Sequence, residues 1–105
     1  MNSNAVTRLQ VWYQHHCNGE WENDFGILIE STDNPGWWIK IDLRGTELEH
    51  AAFAEVNRGN ASGLNPRPPW MRCYVDEKSV FHGAGDPTTL QEILDTFLQW
   101  ADSEK

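Results

Sequence analysis

Basic residues are scarce in this sequence. It contains 8 Lys and Arg against 16 Asp and Glu, which gives a formal net charge of −8 at pH 7. This balance argues against a nucleic-acid binder, because such proteins carry a basic surface for the phosphates, and it indicates either solubility or a basic partner. Residues 9–39 hold five acids and residues 86–104 hold five more, and neither segment has a Lys or Arg. The negative charge is therefore concentrated in two segments.

Cysteines and long apolar runs are also scarce. The chain has only Cys17 and Cys73, and no apolar run approaches the ~20 residues of a membrane span. The opening MNSNAVTRLQ lacks the basic and apolar regions of a signal peptide. We therefore expect a cytoplasmic protein with no membrane contact, in which both thiols are reduced.

The segment that organises the chain is a hairpin predicted over residues 25–43. Apolar residues alternate on both sides of a turn, DNPG at 33–36, and a period of two is typical of strands. Pro supplies a preset φ and Gly a freely positive one, so this sequence ends one strand and starts the next. The alternating residues are Phe25, Ile27 and Ile29 before the turn and Trp37, Ile39, Ile41 and Leu43 after it.

The second half of the chain predicts another hairpin over residues 70–82. A short strand is expected at 53–57, although residues 48–56 also fit a helical turn. Residues 58–69 contain two Gly and three Pro and predict a surface loop. We expect Gly83-Ala84-Gly85 to be a flexible connection.

Helical periodicity appears near both ends. Residues 5–16 predict a short helix with Asn4 as its N-cap. Its apolar side consists of Val6, Leu9 and Tyr13, with Trp12 on the flank. A C-terminal helix follows Asp86, the expected cap, and Pro87, the expected first helical residue. Its apolar stripe consists of Leu90, Ile93, Leu94, Phe97, Leu98 and Ala101.

These elements predict one α+β domain over residues 1–105. It has an antiparallel sheet of four to five strands, a short N-terminal helix and a C-terminal helix packed on one face of the sheet. We expect one core shared by Phe25, Ile27, Ile29, Trp37, Ile39, Ile41, Leu94 and Phe97.

One cluster has residue types that occur in metal and thiol chemistry: His15-His16-Cys17, followed by Glu20 and Glu22. Adjacent histidines on a helix point about 100° apart, so they do not readily share a metal, and no CxxC or HExxH completes a ligand set. We therefore predict no metal, no cofactor and no enzymatic activity. The alternative is a small thiol enzyme using Cys17, with His15 or His16 as its base.

Six tryptophans are present, and two lie among polar residues. Trp38 is on the opposite phase of its strand from Trp37, and Trp21 is surrounded by acids. Tryptophan anchors interfaces while carboxylates steer a basic partner, so we predict a partner-binding patch. Its residues are Glu20, Trp21, Glu22, Asp24 and Trp38. Two alternatives stay open: burial of this face under the first helix or the long loop, and self-association through Trp38 and Leu28.

Five segments together resemble one bacterial family. They are WYQHHCNGEWE at 12–22, FGILIESTDNPGWWIKIDLRGT at 25–46, WMRCYV at 70–75, FHGAGDP at 81–87 and LQEILDTFLQW at 90–100. With these segments the chain resembles the immunity proteins of the family numbered 53, which are found beside polymorphic toxins. The resemblance implies a protein that binds and neutralises a cognate toxin. Combined with the acidic charge, it leads us to expect a basic nuclease domain as that toxin.

Overall fold

The computed structural model describes residues 4–61 and 63–104. These residues form α1 (Ala5–His16), α2 (Trp21–Asp24), β1 (Ile27–Thr32), β2 (Gly36–Asp42), β3 (Val56–Arg58), β4 (Met71–Val75), β5 (Val80–Gly85) and α3 (Leu90–Ser103). The strands make one antiparallel sheet in the order β1-β2-β5-β4-β3. The predicted α+β class, with a sheet and two terminal helices, is confirmed. Across the described residues, no helix has the length and apolar character needed to cross a membrane.

The first hairpin is confirmed, but its first strand begins two residues later than predicted. Gly26 has φ +87°, a backbone conformation that interrupts the extended strand. The Phe25 side chain therefore does not continue the alternation between the two faces of the sheet. Phe25 is 40% exposed and lies under the guanidinium of Arg44, 4.6 Å from its ring centre. Ile29 is 41% exposed, because β1 is the edge of the sheet. The prediction that Phe25 and Ile29 belong to the core is therefore wrong.

Both long helices pack on the same face of the sheet. Phe97 of α3 contacts Phe81 of β5, with ring centres 5.1 Å apart, and Trp12 of α1 packs edge-on against Phe97 at 5.0 Å. Ile39 and Ile41 of β2 complete the centre of this core and are fully buried. The remaining buried members of the cluster are Ala5, Leu9, Trp21, Leu43, Leu48, Met71, Cys73, Ile93, Leu94, Leu98 and Ala101.

The apolar side of α1 differs from the predicted one, although its limits and its cap are confirmed. The backbone N–H of Thr7 donates to Asn4 Oδ1 at 2.8 Å. The buried residues are Ala5, Leu9 and Trp12, whereas Val6 and Tyr13 are exposed. The helix is rotated toward α3 because the large Trp12 ring packs on Phe97.

Gly83-Ala84-Gly85 is not a flexible connection but the end of β5. Gly83 pairs with Ile39 on one side and with Cys73 on the other. A Cβ at Gly83 would collide with the Ile93 side chain, and one at Gly85 would collide with Thr89. Glycine is needed here because α3 crosses close to the strand, not because the chain bends freely.

Asp86 does not cap α3, contrary to the prediction. The helix begins at Leu90, and Pro87 lies in the preceding turn. Asp86 is buried, and its carboxylate accepts hydrogen bonds from Trp70 N at 2.7 Å, Thr88 N at 2.8 Å and Thr88 Oγ1 at 2.6 Å. Burial alone would raise the pKa of Asp86, but these donors hold it below its usual value. Asp86 thus ties the start of β4 to the turn before α3.

Residues 48–56, for which a helical turn and a strand were both expected, contain turns first and reach a strand only at their end. Residues 47–50 form turns, in which Leu48 is buried, and the strand starts only at Val56. The strand therefore begins three residues later than the predicted 53–57 and ends one residue later, at Arg58.

Candidate protein-binding interface

One face of the sheet carries no helix within the described residues. Strand alternation turns its side chains away from α1 and α3. They include an exposed pair, Leu28 (47% exposed) and Trp38 (37% exposed). The others in the central rows are Glu30 on β1, Lys40 on β2, His82 and Ala84 on β5, and Arg72 and Tyr74 on β4. We call this the open face.

A row of stacked side chains crosses the open face. The Arg72 guanidinium lies 4.2 Å from the Tyr74 ring centre, and the Tyr74 and His82 rings are nearly parallel at 4.8 Å. The rings of His82 and Trp38 are 6.2 Å apart at 19°, and Lys40 Nζ lies 5.9 Å from the Trp38 ring centre. These contacts restrict Trp38 while leaving part of its ring exposed. A ring held in this way loses little entropy when a partner covers it.

His82 is fixed at the centre of this row by a second contact. Its Nε2 lies 2.8 Å from Asp76 Oδ2. Burial would raise the pKa of Asp76, but the bond to His82 and the N–H groups of Val80 and Lys78 lower it overall. The stack is thus tied to the turn between β4 and β5.

The carboxylates at the β1 end of the sheet are unpaired. Glu20, Asp24, Glu30 and Asp33 are exposed, and their carboxylates make no ion pair or hydrogen bond with any other described residue. Asp24 borders a groove of about 630 Å³ that also includes Lys40 and therefore adjoins the open face. The first acidic segment thus has charge available for a partner.

Three acids of the second acidic segment, all in α3, are paired with arginines. Arg8 of α1 lies 3.0 Å from Asp102 and 3.8 Å from Asp95, and Arg58 is paired with Glu92. The hydrogen bond from Arg58 lowers the pKa of Glu92. The acids of α3 therefore hold elements of the fold together.

Trp21 does not lie in an exposed patch, and this part of the site prediction needs correction. It is only 4% exposed and packs against Trp12 and Tyr13, both with ring centres at 5.7 Å. The single turn of α2 directs the indole inward. Trp21 therefore positions α2 against α1 and has no free face for a partner.

The other predicted site residues are separated into three roles. Glu22 accepts hydrogen bonds from the N–H groups of Asn18 at 2.9 Å and Gly19 at 2.7 Å, so it holds the turn before α2. Its pKa is lowered by its own backbone N–H and by that of Asn18. Glu20 and Asp24 remain free, and Trp38 lies on the open face. The predicted site did not include Lys40, Tyr74 and His82. Their positions on the polar side of the strand alternation could have indicated them.

Cys17 is not hydrogen-bonded to His15 or His16, as the thiol-enzyme alternative would require. Cys17 Sγ donates to Tyr13 O at 3.2 Å, while His16 uses Nδ1 toward Trp12 O and Nε2 toward Glu47, each at 2.8 Å. Cys73 is fully buried, and burial raises its pKa to about 12. Within residues 4–61 and 63–104, no group of three His, Cys, Asp or Glu side chains is placed to hold a metal.

We predict that alkylation at neutral pH modifies Cys17 readily and Cys73 only after unfolding, because the buried thiol stays protonated and covered. Intact mass under non-reducing conditions should show two adducts on the unfolded protein. The absence of any adduct would indicate a disulfide. A Cys17 that reacts faster than free cysteine would revive the thiol-enzyme alternative.

The described residues thus form a small α+β domain whose open face carries the partly exposed Trp38 and is bordered by the unpaired acids Asp24 and Glu30. The family model described as Immunity protein 53 matches residues 6–102, and the chain belongs to that family. Membership in an immunity-protein family indicates that the chain binds a cognate toxin. Among curated proteins and solved structures, none matches the chain.

Proposed function

We propose that this protein is a non-enzymatic inhibitor that binds its toxin through the open face and the acids beside it. The observation that carries this proposal is the partly exposed Trp38 ring, held in a stack on a face that no described helix covers. Trp38 acts as the anchor, and Glu20 and Asp24 attract the partner.

The unpaired acids favour a toxin with a basic surface, such as the substrate groove of a nuclease. Complementary charge raises association rates to about 10⁸–10⁹ M⁻¹s⁻¹ at low salt, with a steep fall as salt is added. Fast capture matters for an inhibitor because a nuclease turns over substrate until it is bound.

Reversing both charges, Glu20→Lys with Asp24→Lys, should slow association with the toxin encoded by the neighbouring gene by roughly tenfold at low salt. The salt dependence should flatten as well. The free energy of unfolding should hardly change, because neither carboxylate has a partner in the described fold. Glu22 is left intact since it holds a turn. Stopped-flow association over a salt series measures both effects.

The matched control is Glu77→Lys with Glu104→Lys, which changes net charge equally outside residues 20–33. A smaller effect from this pair would show that position matters as well as total charge. Unchanged association for Glu20→Lys with Asp24→Lys at low salt would contradict the steering role. Sedimentation at two concentrations of the free protein tests the self-association alternative through Leu28 and Trp38.

A further inference from the structure

The two edges of the sheet are protected to different degrees. Edge strands expose unpaired backbone groups, and proteins usually shorten them or place Lys or Pro in them. At one edge, β3 has only three residues and contains Arg58. At the other edge, β1 has six residues, Ile27–Thr32, with no Lys, Arg or Pro. Of these two edges, only β1 is long enough, and free enough of Lys, Arg and Pro, to accept another strand.

The pairing of β1 shows which of its backbone groups point outward. Asp42 N donates to Gly26 O at 3.1 Å, so Gly26 and Asp42 form a hydrogen-bonded pair. Such pairs alternate along an antiparallel ladder, so Leu28 and Glu30 also direct their backbone groups to β2. Ile27, Ile29 and Ser31 therefore direct N–H and C=O away from β2. These outward groups make no hydrogen bond within residues 4–61 and 63–104.

An apolar groove runs beside this edge. It has a volume of about 300 Å³, and its lining includes Val6 and Tyr13 of α1, Ile27 and Ile29 of β1, and Leu94 of α3. A strand added to β1 would alternate its side chains between this groove and the open face. Its apolar residues would bury Ile29, which is 41% exposed in the free protein.

The charge of the residues around β1 indicates which kind of partner fits this edge. Residues 9–39 contain no Lys or Arg, and Glu30 and Asp33 are unpaired acids on and next to β1. A second copy, with its own net charge of −8, would bring more acid to this edge. A basic strand, with Lys or Arg opposite Glu30 and apolar residues over the groove, is complementary instead.

We propose that a basic, extended segment of the toxin pairs with the outer edge of β1 and continues the sheet. This inference rests on the proposed function and adds to it the mode of recognition: backbone hydrogen bonds to Ile27, Ile29 and Ser31 provide affinity. Side chains in the apolar groove and next to Glu30 provide specificity. The added strand also enlarges the open face on the side of Leu28 and Trp38.

Ser31→Pro is the direct test, because it removes one outward N–H and leaves the bonds to β2 in place. Proline is tolerated in edge strands where the N–H faces solvent. We expect the toxin encoded by the neighbouring gene to bind Ser31→Pro roughly 10- to 100-fold more weakly, which corresponds to a lost backbone hydrogen bond and an unpaired partner group. Ser31→Ala, which keeps the N–H, should bind like the wild type. Denaturant unfolding of both variants separates binding from stability.

Amide hydrogen exchange on the wild-type protein provides a second measurement that needs no variant. In the free protein, the amides of Leu28 and Glu30 should be protected and those of Ile29 and Ser31 should exchange readily. Binding of the toxin should protect Ile29 and Ser31.

The outcomes separate this inference from the proposed function. A toxin complex in which Ile29 and Ser31 stay unprotected and Ser31→Pro binds normally overturns the β1 pairing and leaves the inhibitor role intact. Failure of the wild type to bind the toxin at all overturns both. Protection of these amides that rises with protein concentration in the absence of toxin would assign the edge to a second copy, which also overturns the inference.

Discussion

Phe97→Ala is expected to lower the free energy of unfolding by about 3–5 kcal/mol, the range for removing a buried aromatic ring. Phe97 is fully buried where α1, α3 and the sheet meet, and its ring contacts Trp12, Phe81 and Trp100 at 5.0, 5.1 and 6.1 Å between centres. The cavity left by alanine would be lined by these rigid rings, which relax little. Domains of this size are stable by about 5–15 kcal/mol, so the loss should be evident in a denaturant titration.

Phe97→Leu keeps most of the volume and should cost less than Phe97→Ala. Gln99→Ala, on the exposed side of the same helix, should change stability by less than about 0.5 kcal/mol. If Phe97→Ala cost no more than Gln99→Ala, α3 would not be packed on the sheet as described.

Elements with strong periodicity could be predicted from the sequence because local pattern and tertiary packing agree in them. The stripe of α3 and the alternation of β2 each mark one buried face, and Ile39, Ile41, Leu94 and Phe97 do share a core. The errors occur where one residue changes the local geometry. The positive φ of Gly26 removes Phe25 from the strand phase, and period-two counting has no means of detecting it.

Glycine was misinterpreted at β5 for a different reason. In a sequence, Gly83 and Gly85 indicate flexibility, whereas in the fold they accommodate Ile93 and Thr89 of the crossing helix. Close approach between elements far apart along the chain leaves no local signal except the absence of a side chain. The role of Asp86 was missed for a similar reason, since its partner Trp70 N lies 16 residues away.

The candidate interface was predictable only in part. The phase of Trp38 placed it opposite the core, and this is how the structure places it. Trp21 was expected to be exposed because its neighbours in the sequence are acidic, whereas the turn of α2 buries its ring. Which acids stay unpaired depends on partners such as Arg8 and Asp102, which are 94 residues apart. Charge counted along the chain therefore overstated the availability of the α3 acids.

Trp38→Ala is expected to weaken toxin binding by at least about 2 kcal/mol, or roughly 30-fold, mainly through faster dissociation. The ring is held by His82 and Lys40 before binding, so a partner that covers it gains apolar contact at low entropic cost. The effect on folding should be smaller, because the ring is partly exposed and lies outside the core. Surface-based kinetics with the toxin of the neighbouring gene, alongside a denaturant titration, measures both.

Two further variants test whether the effect is specific to the Trp38 ring. Trp38→Phe retains an aromatic ring on His82 and should recover much of the affinity. Leu64→Ala removes an apolar side chain that is 97% exposed in a loop outside the open face, and it should have no effect on binding. Because the loss comes from apolar contact, the salt dependence of association should stay that of the wild type, unlike that of Glu20→Lys with Asp24→Lys. Unchanged dissociation of Trp38→Ala would exclude Trp38 as the anchor. In that case the toxin would bind at the β1 edge or at another surface without covering the stacked row.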